Sequence, residues 1–318
     1  MRPLSPRALT ACAAWLLLAP AAFASDTLKL AVGQRGSWET AISELGQTAG
    51  IFKKHGLDLQ IVYTQGTGET LQAVISSSVD VGIATGIFGV MGAYAKGAPI
   101  RAIGSTMTGA NDLLWYVRAD SPIKSMTDTA GKTVAYSTTG SSSHQSVLGF
   151  SGYYKVDLKP VATGSPPSTL TQVLSGQIDV GWAVVPFAVE AADAGKVRII
   201  AKAGDLPAFQ HKTIRLIAVN ADTLKAKRAA LTEYLQAYRE TLDWMYSDPA
   251  ALRAYANFAQ LPEAVAKRVR DDLIPKNDLD TDRLAGLEDS MTEAVGFKFL
   301  SAPLPKERSN ELLQIPFR

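Results

Sequence analysis

Two segments of this 318-residue chain repeat one another. Leu71–Ala84, "LQAVISSSVDVGIA", aligned with Leu170–Ala183, "LTQVLSGQIDVGWA", at an offset of 99 gives seven identities in fourteen positions. Each copy has helical spacing of apolar residues, a serine-containing turn, and an apolar run opened by an aspartate, Asp80 or Asp179. Such a repeat constrains architecture before chemistry: one supersecondary unit occurs twice, once in each of two similar lobes. The aspartates sit at the amino ends of their strands, whereas sites in open α/β sheets lie at the carboxyl ends. Their expected role is to accept hydrogen bonds from turn amides, not to form a catalytic pair.

The flanking pattern agrees. From Thr27, "TLKLAVG", "LDLQIVY", "VDVGIA" and "PIRAIGSTM" read as strands separated by helical periods. "LLWYVRADSPIKS" reads as an extended crossover, and a second series then runs from "KTVAYS" to "KVRIIAKAG". Alternating strand and helix periods predict mainly parallel sheets flanked by helices, an α/β class. After "KTIRLIAVNAD" helix follows helix, with Leu231, Leu235, Tyr238, Leu242 and Met245 on one face. A stripe of this kind predicts core, packed back on the first lobe.

The N-terminus reads as a secretory leader. Arg2 and Arg7 precede an apolar stretch around "AAWLLLA", and Ala22-Phe23-Ala24 supplies a small-x-small cleavage pattern, so residues 1–24 are expected to be removed near Ala24. The stretch falls short of the roughly 20 apolar residues that span a bilayer. Cys12, the one cysteine, lies inside this leader; the mature chain then has no disulfide, thiolate nucleophile or cysteine metal site. The remaining 30 basic and 30 acidic residues leave no large-scale field to draw in nucleic acid or acidic membranes.

Among candidate motifs, "GKT" at Gly131–Thr133 lacks the upstream glycine of a P-loop, since Met126 stands there, and it precedes a strand. "STTGSSSHQS" at Ser137–Ser146 follows a strand and opens a helix, where free amides, three serine hydroxyls and the helix dipole favour an anion; it lacks the G-x-S-x-G of a hydrolase elbow. "GQRGSWET" at Gly33–Thr40 holds the matching place in the first lobe, with Trp38 as a ligand wall or core residue and Glu39 as a helix-start acid. Thr85 and Trp182 end the two echoed strands and would face the crevice. His55, His144 and His211 have no metal-ligand spacing, and the dinucleotide glycine fingerprint is missing.

"AGIFKKHGLDLQIVY", "LQAVISSSVDVGIA", "GKTVAYSTTGSSSH" and "LSGQIDVGWA", in this order behind a leader, resemble the substrate-binding proteins of nitrate/sulfonate/taurine-type ABC importers. The resemblance implies a two-lobe, type II periplasmic-binding fold: lobe I from residues 26–114 plus 215–318, lobe II from 115–214, and hinges near Asn111–Tyr116 and Lys212–Leu216. It implies a periplasmic, non-enzymatic receptor that traps a small anionic organic solute by hinge closure. Its partners would be that small-molecule ligand and an inner-membrane permease–ATPase complex, with no cofactor, no metal and no nucleic acid, and the receptor itself a monomer. Carried over residue by residue, the pocket would comprise Ser37, Trp38, Gln65, Thr85, Ser141, Ser142, Ser143, His144 and Trp182. Two alternatives share the fold: a thiamine-pyrimidine-related binding protein or enzyme, and a ligand-sensing receptor. The synthases among them depend on a cysteine-rich iron motif that the mature chain lacks.

Overall fold

The computed structural model describes residues 25–318; the expected leader, its cleavage near Ala24 and Cys12 lie outside the described residues. Ten strands are present among them: β1 (Asp26–Gly33), β2 (Leu57–Thr64), β3 (Val81–Gly86), β4 (Ile100–Thr108), β5 (Leu113–Arg118), β6 (Thr133–Tyr136), β7 (Lys159–Ala162), β8 (Gly181–Val184), β9 (Val197–Lys202) and β10 (Thr213–Asn220). They form a five-stranded sheet, β2-β1-β3-β10-β4, a three-stranded sheet, β8-β5-β9, and a pair, β6-β7. β1 runs parallel to β2 and β3, while β10 inserts antiparallel between β3 and β4. A parallel bridge from Val134 to Val180 ties the β6-β7 pair to the residue before β8.

The repeat occupies equivalent places. The helices Thr67–Ile75 and Pro166–Leu174 lead into β3 and β8. Asp80 Oδ2 accepts the Lys29 amide of β1 at 2.9 Å and meets Lys227 Nζ at 2.9 Å. Asp179 Oδ2 accepts the Thr133 amide of β6 at 2.9 Å and its hydroxyl at 2.8 Å. Each aspartate therefore pins the start of its strand to the adjacent strand. The amide acceptor role was expected, but the partners lie in neighbouring strands rather than in the turn.

One segment departs from the sequence reading. "LLWYV" is the central strand of the three-stranded sheet, antiparallel to β8 and β9 on its two sides, rather than a bare crossover. Its buried run on both faces, Leu113 to Val117, suits a strand with neighbours on either side.

The C-terminal helices cover the large sheet. Within Arg228–Ser247 the residues Leu231, Tyr234, Leu235, Tyr238, Leu242 and Met245 are buried, each contributing about 1.5–3 kcal/mol of burial. The Tyr234 hydroxyl and Ser43 Oγ join this helix to Ile42–Thr48 at 2.8 Å. The chain then returns to the edge of β4, where Leu313 bridges Ala102 and the Gln314 amide donates to the Ala102 carbonyl at 2.9 Å. An exposed strand edge is thereby covered.

The large-sheet half and the small-sheet half meet along a narrow seam. The Gly89 amide donates to the Gly140 carbonyl at 2.9 Å, and the Gly68 amide to Thr138 Oγ1 at 3.1 Å. Gln145 reaches Glu293 at 3.2 Å, and Glu293 also holds the buried Lys212 at 2.6 Å.

Candidate functional site

At the carboxyl ends of β1, β3 and β8 the two halves enclose a cavity of about 30 Å³. That volume suits a water or a compact polar head group; a benzene-binding cavity needs about 150 Å³. Its walls come from Gly33, Gln34, Ser37 and Thr40 after β1, Gly66 and Thr67 after β2, and Ala84 of β3. The small-sheet half contributes Ser137, Ser141, Ser142, Ser143, Trp182 and Val184, and the floor includes Leu113 and Arg215.

The helix Ser142–Tyr154 points its N-terminus into this cavity. Ser141 is the cap: its hydroxyl accepts the His144 amide at 3.1 Å, and its carbonyl accepts the Gln145 amide at 3.0 Å. The amides of Ser142 and Ser143 belong to the first turn, whose donors have no intrahelical acceptor. Ser143 Oγ is held by Ser141 Oγ at 3.0 Å and by the Ser137 amide at 3.0 Å. On the facing loop Ser37 Oγ and Thr40 Oγ1 lie 2.7 Å apart. Trp182 is buried, and its indole N–H donates to Thr163 Oγ1 at 3.2 Å; this hydrogen bond fixes the ring as a rigid wall.

Five of the nine residues expected to form the pocket, Ser37, Ser141, Ser142, Ser143 and Trp182, thus line one cavity. The other four lie elsewhere. Trp38 is wholly buried, edge-on to Tyr255 at 4.7 Å and to Tyr246 at 5.6 Å, so its ring belongs to the core under the C-terminal helices. Gln65 is exposed, with its carbonyl accepting Gln34 Nε2 at 2.6 Å, and its neighbours Gly66 and Thr67 reach the cavity instead.

Thr85 is buried and donates to the Leu216 carbonyl at 2.9 Å. The cause is a bulge: Ile83 and Ala84 face only Ile217 between the pairs Gly82–Ala218 and Thr85–Leu216, and Ala84 has φ 60°. An extra residue resets the in–out alternation, so Ala84 presents to the cavity and Thr85 turns away. His144 faces a separate surface groove with Phe88 and Phe299. Its ring stacks on Tyr136 at 4.1 Å, Nδ1 accepts the Gly140 amide at 3.2 Å, and burial pushes its pKa down to about 4.

The residue that sequence reasoning missed is Arg215. Its side chain is 6% exposed, and it lines the cavity. Nη2 bonds Asp112 Oδ2 at 2.5 Å, and Nη1 lies 2.8 Å from Glu39 Oε2, while Nε has no partner. Glu39 is fully enclosed, and neither of its oxygens has an aligned hydrogen bond. Burial raises its pKa to about 7 against the pull of Arg215; Asp112 adds to the rise, and Thr106 opposes it. The Arg215 guanidinium stays charged: Asp112 and Glu39 together outweigh the burial that opposes its charge. A lone arginine inside the apolar run "TIRLIAVN" was the available signal, because a strand buried on both faces holds a charge only when partners await it.

The comparisons with known proteins fit this geometry. A family model described as "NMT1/THI5 like" matches residues 41–252. The 4-amino-5-hydroxymethyl-2-methylpyrimidine phosphate synthase THI5 of Saccharomyces cerevisiae is 23% identical over 241 residues, covering 67% of this chain and 66% of that protein. The chain thus spans just under two thirds of the length of the curated relatives it matches. The alkanesulfonate-binding protein SsuA from Xanthomonas axonopodis pv. citri, bound to MOPS, superposes with a TM-score of 0.72 at 17% identity, over 85% of this chain and 90% of that one. The periplasmic nitrate-binding protein NrtA from Synechocystis PCC 6803 gives 0.69 at 12% identity, over 91% and 86%. At such identities the likeness establishes the periplasmic-binding fold and leaves the ligand open.

Proposed function

Because the chain belongs to the NMT1/THI5-like family, we propose that it is the exported solute receptor of an ABC importer, holding a small anion between two lobes that close about a hinge. In this reading the lobes are residues 26–114 plus 215–318 and residues 115–214, which puts Asp112 and Arg215 near the two crossovers. Arg215 carries the reading: a buried guanidinium lines the cavity with Nε unpartnered, and the cavity also receives the N-terminus of Ser142–Tyr154. Charge-assisted donors and orphan helix amides together suit a sulfonate, carboxylate or nitrate. No step of chemistry is assigned to the site. The receptor works by binding, burying the head group and presenting the closed form to a permease.

The curated synthases keep a second reading in view, that of pyrimidine chemistry. The residues do not fit the iron such enzymes use. After Cys12 the sequence has no cysteine, and among the described residues no three His, Cys, Asp or Glu side chains converge as a metal site requires.

A thermal-shift panel of alkanesulfonates, carboxylates, nitrate and aminopyrimidines on the mature chain tests the proposal. An anion at a hundredfold excess over its Kd should add about 2.7 kcal/mol of stability. Ser142→Ala should weaken that anion while the ligand-free melting point stays within a few degrees, whereas Trp182→Ala should weaken it and also cost about 3–5 kcal/mol of stability, because it empties a buried ring site. A panel in which only neutral aminopyrimidines shift the midpoint would overturn the anion reading.

A further inference from the structure

The repeat reaches beyond Leu71–Ala84 and Leu170–Ala183. At the same offset of 99, Thr64 and Thr70 match Thr163 and Thr169, and Gly66 matches Ser165. The hydroxyls of each threonine pair are hydrogen-bonded, at 2.7 Å between Thr64 and Thr70 and at 2.6 Å between Thr163 and Thr169. The second hydroxyl of each pair also donates to the backbone carbonyl four residues back, Gly66 at 3.1 Å or Ser165 at 3.0 Å. The large-sheet and small-sheet halves thus carry one polar device twice, where β2 and β7 run on into their helices.

The copies differ in what meets the pair. Where the first copy has Ile83, the second has Trp182. Ile83 has no donor to offer Thr64, whereas the Trp182 indole N–H donates to Thr163 Oγ1 at 3.2 Å. An indole nitrogen only donates, so the Thr163 oxygen accepts, and its own hydrogen passes to Thr169 or to the Tyr136 carbonyl at 3.2 Å. Both threonines are buried. An indole N–H left without an acceptor in such a place costs free energy, so the bond holds the ring in one orientation.

That ring also walls the inner cavity, whose 30 Å³ is room for about one water. A small turn of the indole would fill or reshape it. Because its N–H is spent on Thr163, Trp182 meets the cavity as an apolar wall and leaves donation to Arg215 and the first-turn amides of Ser142 and Ser143. We propose that Thr163, which is not part of the cavity lining, is a positioning residue for the ligand: backed by Thr169, it sets the pose of Trp182 and reserves its N–H. The proposal rests on the anion reading above and adds the group behind the wall.

The test joins two readouts on the mature chain. One is the calorimetric Kd for methanesulfonate, acetate and nitrate. The other is the set of indole N–H signals of Trp38, Trp115, Trp182 and Trp244 in a proton–nitrogen NMR spectrum, that of Trp182 being the one Trp182→Phe removes. Thr163→Val keeps the side chain's shape and deletes the acceptor. It should move the Trp182 proton signal upfield and weaken the best of the three anions about tenfold, the effect of one lost hydrogen bond. Thr163→Ser, which keeps the hydroxyl, should restore both. Thr64→Val deletes the matching hydroxyl in the large-sheet half and should leave both readouts at wild-type values. Thr169→Val should move both in the same direction by less, and it stands in for Thr163→Val if that variant does not fold. A Trp182 signal that stays in place, or one that moves with affinity unchanged, would overturn the positioning role and leave the anion reading intact. An equal loss of affinity in Thr64→Val would assign the effect to general loosening and overturn the role as well. If none of the three anions binds the wild type, the anion reading falls and the positioning role falls with it.

Discussion

At the scale of single residues, the site turns on how Glu39 shares Arg215 with a ligand. Glu39 faces Arg215, Asp112, Thr106 and the Tyr238 phenol in a space closed to water. With its folded pKa near 7 and its ordinary value at 4.5, the native chain binds more protons than the unfolded chain between those limits. Stability therefore falls as pH rises through about 4.5 to about 7, by up to about 1 kcal/mol for each unit crossed. Glu39→Gln should remove that slope, which melting curves across the window would show. The same variant should flatten a second dependence. An ionised Glu39 competes with the bound anion for Arg215, so wild-type affinity should weaken as pH passes 7, and a titration at several pH values checks it. A wild-type affinity independent of pH would mean that Glu39 does not compete. Arg215→Met is the less informative change, because it strands two buried carboxylates and costs about 3–5 kcal/mol of stability.

At the scale of elements, the proposed closure would bring together a seam of glycines. Gly86 has φ −62° and ψ 133°, a conformation any residue adopts, so an alanine there is not strained by its backbone. Yet its Cβ would stand 2.4 Å from the Gly140 carbonyl oxygen across the seam. Gly86→Ala should leave the open form intact and oppose the closed one by the 1–3 kcal/mol typical of overpacking, weakening the best anion of the panel about tenfold or more. X-ray scattering should show that ligand no longer contracts the variant. Contraction equal to wild type would mean the seam yields. Much of this element layer was legible in the sequence. The strand after each helix of the repeat, the helix that opens within Ser137–Ser146 and the stripe from Leu231 to Met245 all follow from spacing. What was not legible needed tertiary pairing: β5 gains its strand neighbours from residues about 70 and 85 positions later, and the bulge at Ala84 exists only against β10. That bulge is why Ala84 replaced Thr85 at the cavity, although the strand itself was read correctly.

At the scale of the molecule, the chain order makes the two halves unequal in self-sufficiency. β10 separates β3 from β4 in the large sheet, and it arrives more than a hundred residues after β4. Residues 25–111 alone therefore leave β4 without its hydrogen-bonded neighbour and β3 with an open edge. They also lack the C-terminal helices that bury Trp38, Ile42 and Phe52. Long-range closure of this kind must precede the contacts that reward it. The strands of the small sheets, by contrast, all fall within residues 113–202. A fragment of residues 112–211 should give a cooperative thermal transition with native-like circular dichroism, and a fragment of residues 25–111 should not. Supplying residues 212–318 in trans should restore structure to the latter, because β10 and the covering helices come back together. A cooperative transition in residues 25–111 alone would show that β1, β2 and β3 hold without their insert. The hinge would then join two independent units, rather than one unit and a sheet that the returning chain completes.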